Sequence, residues 1–273
     1  MSDTPSHLVN NDQTTPPNSC PTVTWLLATH VVDEHLKTAV ESCLNQTMSD
    51  FECLIIVNGV SSEKIAQQIR AWFRHDERVV VHTTPVRQLN FSLSLGLHLA
   101  RAPLVARMDA DDVASPDRLQ KQVTFMAANP RVAVVGTAYD VIDAAGAVVG
   151  HVDLPVSDRL IRQRLFYGNP FCHPSVMFRR ELVNEAGGYL GGLHAEDYDL
   201  WARLAQMPNV EFANLPETCL SYRSTSIGSA RGARTAYATV ASAQFRNFVA
   251  GFGWGWAMAA LISLGKAVFR SNR

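Results

Sequence analysis

From Val23 onward the chain alternates short, continuously apolar runs with longer stretches in which apolar positions recur every three or four residues. The apolar runs are Val23–Thr29, Phe51–Val57, Val79–His82 and Pro103–Met108. Between them, helical spacing covers His35–Gln46, a stretch from an N-capping Ser61 to about Arg74, and Leu89–Ala100. Strands alternating with helices give βαβ units and a parallel sheet. Both faces of such a sheet are covered by helices, which is why its strands read as unbroken apolar runs.

Past Asp109 the rhythm loosens. Ser115-Pro116 opens a helix that ends near Asn129-Pro130, and Val132–Tyr139 is a strand. Asp143–Gly150 is a turn and its return, with Gly146 at the bend. Residues 156–167 read as helix, Gly168–His173 as loop, Ser175–Arg179 as strand and Ala195–Gln206 as helix. Gly187-Gly188 and Gly191-Gly192 flank a turn, and Val210–Ala213 and Thr218–Tyr222 read as two short strands. The pattern predicts an α/β domain with a nucleotide-binding N-terminal half and a less regular C-terminal half.

Charge changes this picture at one end only. The formal net charge is −1, but every one of the 25 acidic residues lies at or before Glu217. Residues 1–217 carry 17 cations and a net −8, whereas Thr218–Arg273 carries +7. Such asymmetry points to an anionic partner, a membrane surface or nucleic acid. Five scattered cysteines without a C-x-x-C pair fit neither a zinc ribbon nor a disulfide framework, so reduced thiols in a cytoplasmic setting are expected. Residues 1–21, polar and proline-rich with no Lys or Arg before an apolar core, read as a disordered leader rather than a signal peptide.

Two acidic motifs carry the candidate chemistry. Asp109-Ala110-Asp111-Asp112 follows the fourth apolar run, and ligands of open parallel sheets bind beyond the carboxyl ends of strands. Three carboxylates in four residues repel one another unless a cation joins them, and Mg²⁺ or Mn²⁺ takes carboxylates together with phosphate oxygens. The competing reading is a solvated loop capping the next helix, which alone accounts for Asp112. Glu196-Asp197-Tyr198-Asp199 opens a helix, where acids are favoured by the dipole, and one of them pointing into a cleft serves as a base. No P-loop, dinucleotide fingerprint, H-E-x-x-H or G-x-S-x-G motif is present.

The order of motifs resembles family 2 glycosyltransferases of the GT-A fold over residues 22–230. It rests on Ala28-Thr29-His30, Ser42–Thr47, Asp50–Val57, Ala106–Asp112 with Ser115-Pro116-Asp117-Arg118, His173-Pro174-Ser175 and Ala195–Trp201. The resemblance implies inverting transfer of a sugar from a nucleotide-diphosphate sugar to an acceptor hydroxyl, with a divalent cation, Mg or Mn, as cofactor. It places Asp111 and Asp109 on the metal, Asp109 also toward the ribose, and Asp197 as the base. Thr29, His30, Asn58 and Arg87 are the remaining candidates for the nucleotide sugar, and Glu196, His173, Trp201 and Arg223 for the acceptor side. Three departures stand out. His30 takes a position where relatives commonly have Tyr, Asn58-Gly59 stands where an Asp commonly meets the base, and Ser224-Thr225-Ser226 stands where many relatives have a His. The first two put the base in doubt. Asn58-Gly59 and the missing late His leave a non-catalytic nucleotide-sugar binder as the alternative, and a nucleotidyltransferase, which shares the sheet topology and acidic metal site, is a weaker one.

Asn247–Gly265 has no charged residue and is flanked by Arg246, Lys266, Arg270 and Arg273. It is marginal in length for a membrane span, while its aromatics and flanking cations suit an interfacial segment. Contact with a membrane surface, packing on the catalytic domain or a second copy, and a span all remain open for the 231–273 tail. The basic tail lacks the interleaved aromatic and basic pattern of a base-stacking surface, so no nucleic-acid partner is expected. The expected setting is cytoplasmic, peripheral at the inner membrane face, in bacterial cell-surface polysaccharide or glycolipid synthesis with a glycan or lipid-linked acceptor.

Overall fold

A computed structural model describes residues 20–190, 194–224 and 230–269, with the side chains of 230–233 left out. The expected leader lies almost wholly outside these residues, as do the Gly191-Gly192 turn, Thr225-Ser226, Arg270 and Arg273. Strands β1 (Val23–Thr29), β2 (Phe51–Asn58), β3 (Val79–Thr84) and β4 (Leu104–Met108) alternate with helices α1 (Glu34–Leu44), α2 (Ser62–Trp72) and α3 (Leu89–Leu99). They pair in parallel in the order β3-β2-β1-β4, with Thr29 opposite Val57 and Leu27 opposite Met108. Asp33 caps α1 by accepting from the Leu36 amide, whereas Ser61 makes no side-chain cap to α2.

The sheet continues through β8 (Met177–Arg179), β6 (Val132–Ile142), β9 (Glu211–Arg223) and the two-residue β5 (Val113–Ala114), with β7 (Val148–Val152) beside β6. Here the pairing is mixed: β4–β8, β6–β8, β6–β7 and β5–β9 are antiparallel and β6–β9 is parallel. The two short strands expected at 210–222 are one strand. Pro216 and Glu217 interrupt its register with β6 without ending it. The expected Ser175–Arg179 strand is shortened by a 3-10 turn at His173–Ser175, because Pro174 favours a turn over a ladder. Helices α4 (Arg118–Ala128), α5 (Asp158–Leu165), α6 (Arg180–Glu185) and α7 (Glu196–Leu204) cover the sheet. Of these α6 has no counterpart in the sequence reading.

Both faces of the N-terminal sheet are buried. Trp25, Leu27, Cys53 and Ile55 pack with Leu36, Val40 and Ile69, while Leu26, Leu54 and Ile56 pack with Leu93, Leu97 and Trp201. Gly96 lets α3 close on β1, since a Cβ there would come within 2.2 Å of Leu26 Cδ1.

The C-terminal tail is helical, as expected, but not as a single span. Helix α8 (Ala230–Val249) and α9 (Trp254–Phe269) are separated by Gly251 and Gly253, both at positive φ, which divide the uncharged run. Among the described residues no helix is long and apolar enough to cross a membrane. Helix α9 buries its small side chains, Ala259, Ala260, Ser263 and Ala267, with Trp256 against Phe166. Its opposite stripe, Trp254, Met258, Leu261, Ile262, Val268 and Phe269, is exposed.

Candidate active site

The parallel strands β1, β2 and β4 all end at one edge of the sheet, where Thr29, Asn58 and Asp109 stand together. The Thr29 hydroxyl is spent on the turn, donating to the Val31 carbonyl at 2.7 Å, so it shapes the strand end. His30 is exposed beyond it. Asn58 is buried. Its amide donates to Ser92 Oγ at 2.9 Å, while its Oδ1 has no partner among the described residues, an acceptor held ready beside the sheet edge. Gly59, at φ +98°, lets the chain turn beneath the stem of Arg87, which is exposed.

Asp109, Asp111 and Asp112 offer carboxylate oxygens within 4.8 Å of one another. Asp112 is fully buried. Its Oδ1 accepts from the Arg223 amide at 2.7 Å and its Oδ2 is unpartnered. Burial, then the Asp109 carboxylate, pushes Asp112 up to about 8 and raises Asp111 for the same reasons. Clustered, partly desolvated hard oxygens with one orphaned lone-pair set fit a divalent cation such as Mg²⁺ or Mn²⁺. Arg107 is buried beneath and pairs with Asp109. The Arg223 guanidinium is tied to backbone carbonyls of Asp111, Asp143 and Ala144, so it braces the acidic loop instead of meeting an acceptor.

The second acidic motif lies in the first turn of α7. Ala195, just before it, sits at φ 60°, a left-handed conformation uncommon for a residue with a Cβ and frequent at functional sites. Asp197 is buried, accepting from the Tyr198 amide at 2.8 Å and from the Asn169 side chain. Burial raises its pKa against these two donors. Glu196, also buried, is pushed up to about 7 by burial and then by Asp197. His173 stands 4.0 Å from Glu196 and meets Tyr189 Oη at 3.0 Å. Burial and then Arg107 hold it well below the usual histidine range, so it is neutral. Of the two roles open to Trp201, core residue and sugar platform, the structure has the first: it is fully buried against Phe171 and His173 on the inward face of α7 and presents no ring to a sugar.

Arg107 and Arg118 lie in the motifs that carry the resemblance but have no role in the sequence reading, and Gln122 is absent from it. Arg107 is a charge neighbour of Asp109, Asp111 and Asp112 on one side and of Glu196 and Asp197 on the other. Arg118, fully buried, donates to the Arg107 carbonyl at 2.8 Å and lies over the Trp25 ring. Burial lowers it to about 10, which leaves it charged at neutral pH. Its partner Gln122 holds the Ser175 carbonyl at 2.9 Å, so this pair ties β4 to the 3-10 turn. The sequence signal for the Arg118–Gln122 pair is its spacing: the two fall one turn apart on the buried face of α4.

This arrangement has known counterparts. Residues 24–187 match the model of the family described as "Glycosyl transferase family 2". The Escherichia coli O-antigen biosynthesis glycosyltransferase WbnJ is 36% identical over 228 residues, 83% of this chain and 89% of its own. The Erwinia amylovora amylovoran biosynthesis glycosyltransferase AmsE is 33% identical over 71% of this chain and 72% of its own. Among solved structures, the mannosyltransferase PcManGT from Pyrobaculum calidifontis, in complex with GDP-Man and Mn²⁺, superimposes with a TM-score of 0.64 at 16% identity. It covers 95% of this chain and 73% of that one, and shows the shared GT-A fold. With a family model matching residues 24–187 and a 36% identical relative covering 83% of the chain, the protein belongs to glycosyl transferase family 2 and is a glycosyltransferase.

Proposed function

We propose that this enzyme moves a hexosyl group from a nucleotide-diphosphate sugar to an acceptor hydroxyl with inversion, in cell-surface polysaccharide or glycolipid synthesis. The observation that carries the proposal is Asp197: a buried carboxylate, raised in basicity, held by Asn169 and by its helix's own first turn. Asp197 takes the proton as the acceptor oxygen bonds to the anomeric carbon from one face. The bond to the diphosphate breaks on the other face, so configuration inverts without a covalent intermediate. Asp109 and Asp111 hold the divalent cation, with the orphaned oxygen of Asp112 beside them. When bound, such an ion offsets charge developing on a diphosphate leaving group. Asn58 Oδ1 accepts from the base, and Arg87 and His30 flank the nucleotide.

The acceptor is lipid-linked and the enzyme works at an anionic membrane surface. The support is α9, whose exposed stripe is large and apolar while its buried stripe is small, in a tail that carries cations and no acid. Exposed contiguous apolar faces of this kind mark interaction surfaces, and basic flanks favour anionic lipid. Asp197→Asn tests the central claim. Transfer should fall by about 10²- to 10⁴-fold, the usual worth of a general base, while nucleotide binding by calorimetry is kept. Turnover near that of the wild type would remove Asp197 from the chemistry.

A further inference from the structure

A cavity of about 670 Å³ opens beside Asn169, with Tyr139 and the exposed Tyr167 on its walls, the buried Phe171 at its base, and Gln163, Arg164 and the exposed Asp153 on its rim. Its size is that of a small-ligand site. Two contacts join it to the reaction centre. Asn169 donates to Asp197, and Tyr139 packs edge-on against Tyr222, whose neighbour Arg223 braces the acidic loop. Two more join it to the helical tail. The Tyr167 carbonyl accepts from Lys266 of α9 at 3.3 Å, and Phe166 stacks on Trp256.

The lining has a chemistry. Exposed aromatic faces such as Tyr167 suit the apolar C–H faces of a pyranose, and Gln163 and Asn169 supply donors and acceptors for its hydroxyls. Arg164 is exposed, and its guanidinium has no hydrogen-bond or ion-pair partner among the described residues. An unpaired guanidinium at the rim of a sugar-sized cavity matches a phosphate bidentately.

Resting on the glycosyltransferase reading, we propose that this cavity seats the acceptor as a sugar diphosphate. The sugar lies against the exposed Tyr167 ring with a hydroxyl directed past Asn169 toward Asp197, and the diphosphate lies on Arg164. A lipid carried by that diphosphate leaves the cavity toward the outer face of α9.

The test uses the full chain with Mn²⁺ and saturating UDP or GDP, whichever binds, so that the donor position is filled. The probes are soluble hexosyl and N-acetylhexosaminyl diphosphates capped with a phenylalkyl chain, with binding read by saturation-transfer NMR. At least one should bind the wild type. Arg164→Gln and Tyr167→Ala, both surface changes, should each weaken it by about tenfold or more, the cost of one charge-assisted pair or one ring, with nucleotide affinity unchanged. Binding that survives both substitutions, or no binding by any probe to the nucleotide-loaded enzyme, overturns the assignment. Failure to bind any nucleotide would instead overturn the nucleotide-diphosphate-sugar reading on which the assignment rests.

Discussion

Glu196 offers the sharpest quantitative test, because its environment sets a stability that depends on pH in a direction opposite to most carboxylates. It is 7% exposed, and burial followed by the Asp197 charge raises its pKa from an ordinary 4.5 to about 7. Between those values the native state keeps a proton that the unfolded chain has released, so stability falls as pH rises from about 4.5 to 7 and levels off above. A shift of that size at about 1.36 kcal/mol per pKa unit makes the penalty on the order of 3 kcal/mol at pH 8. Glu196→Gln keeps the shape and removes the ionisation. Urea unfolding of the variant and the wild type should give nearly equal stability at pH 4. The variant should become the more stable by about 2–3 kcal/mol at pH 8. A difference between the two proteins that stays constant across this range would refute the reasoning, since it would mean that Glu196 ionises in the folded protein as freely as in the unfolded chain.

Other outcomes follow from the same geometry. Asp111→Ala should weaken nucleoside diphosphate binding in the presence of Mn²⁺ far more than in its absence, by calorimetry; an equal loss in both conditions would take Asp111 off the metal. Gly96→Ala should cost about 1–3 kcal/mol despite the better helix propensity of alanine, because the added methyl meets Leu26 in a filled core; an unchanged denaturation midpoint would contradict that packing. Replacing Trp254 and Leu261 with serine should release the protein from phosphatidylglycerol vesicles in flotation, without change in oligomeric state by light scattering. A shift from dimer to monomer would assign the apolar stripe of α9 to a second copy.

Much of the framework was legible along the chain. The four parallel strands appear as unbroken apolar runs because both faces of a parallel sheet are buried, and each of Val23–Thr29, Phe51–Asn58, Val79–Thr84 and Leu104–Met108 lies within a residue or two of its expected bounds. The acidic motifs were legible too, since carboxylates crowded at a strand end or a helix start are costly without a purpose. What the sequence determined by itself was therefore local: periodicity, punctuation and the presence of charge where charge is expensive. The tertiary structure decided which of these charges share a site. It placed Arg107 between two acidic clusters 84 or more residues apart in the chain, sent Trp201 inward and made Arg223 a brace. It also broke the uncharged tail at Gly251 and Gly253, turning a stretch of span-like length into a hairpin with an apolar outer face. Burial and long-range pairing are properties of the whole chain's packing, and desolvation, which sets the basicity of Glu196 and Asp197, exists only once that packing is made.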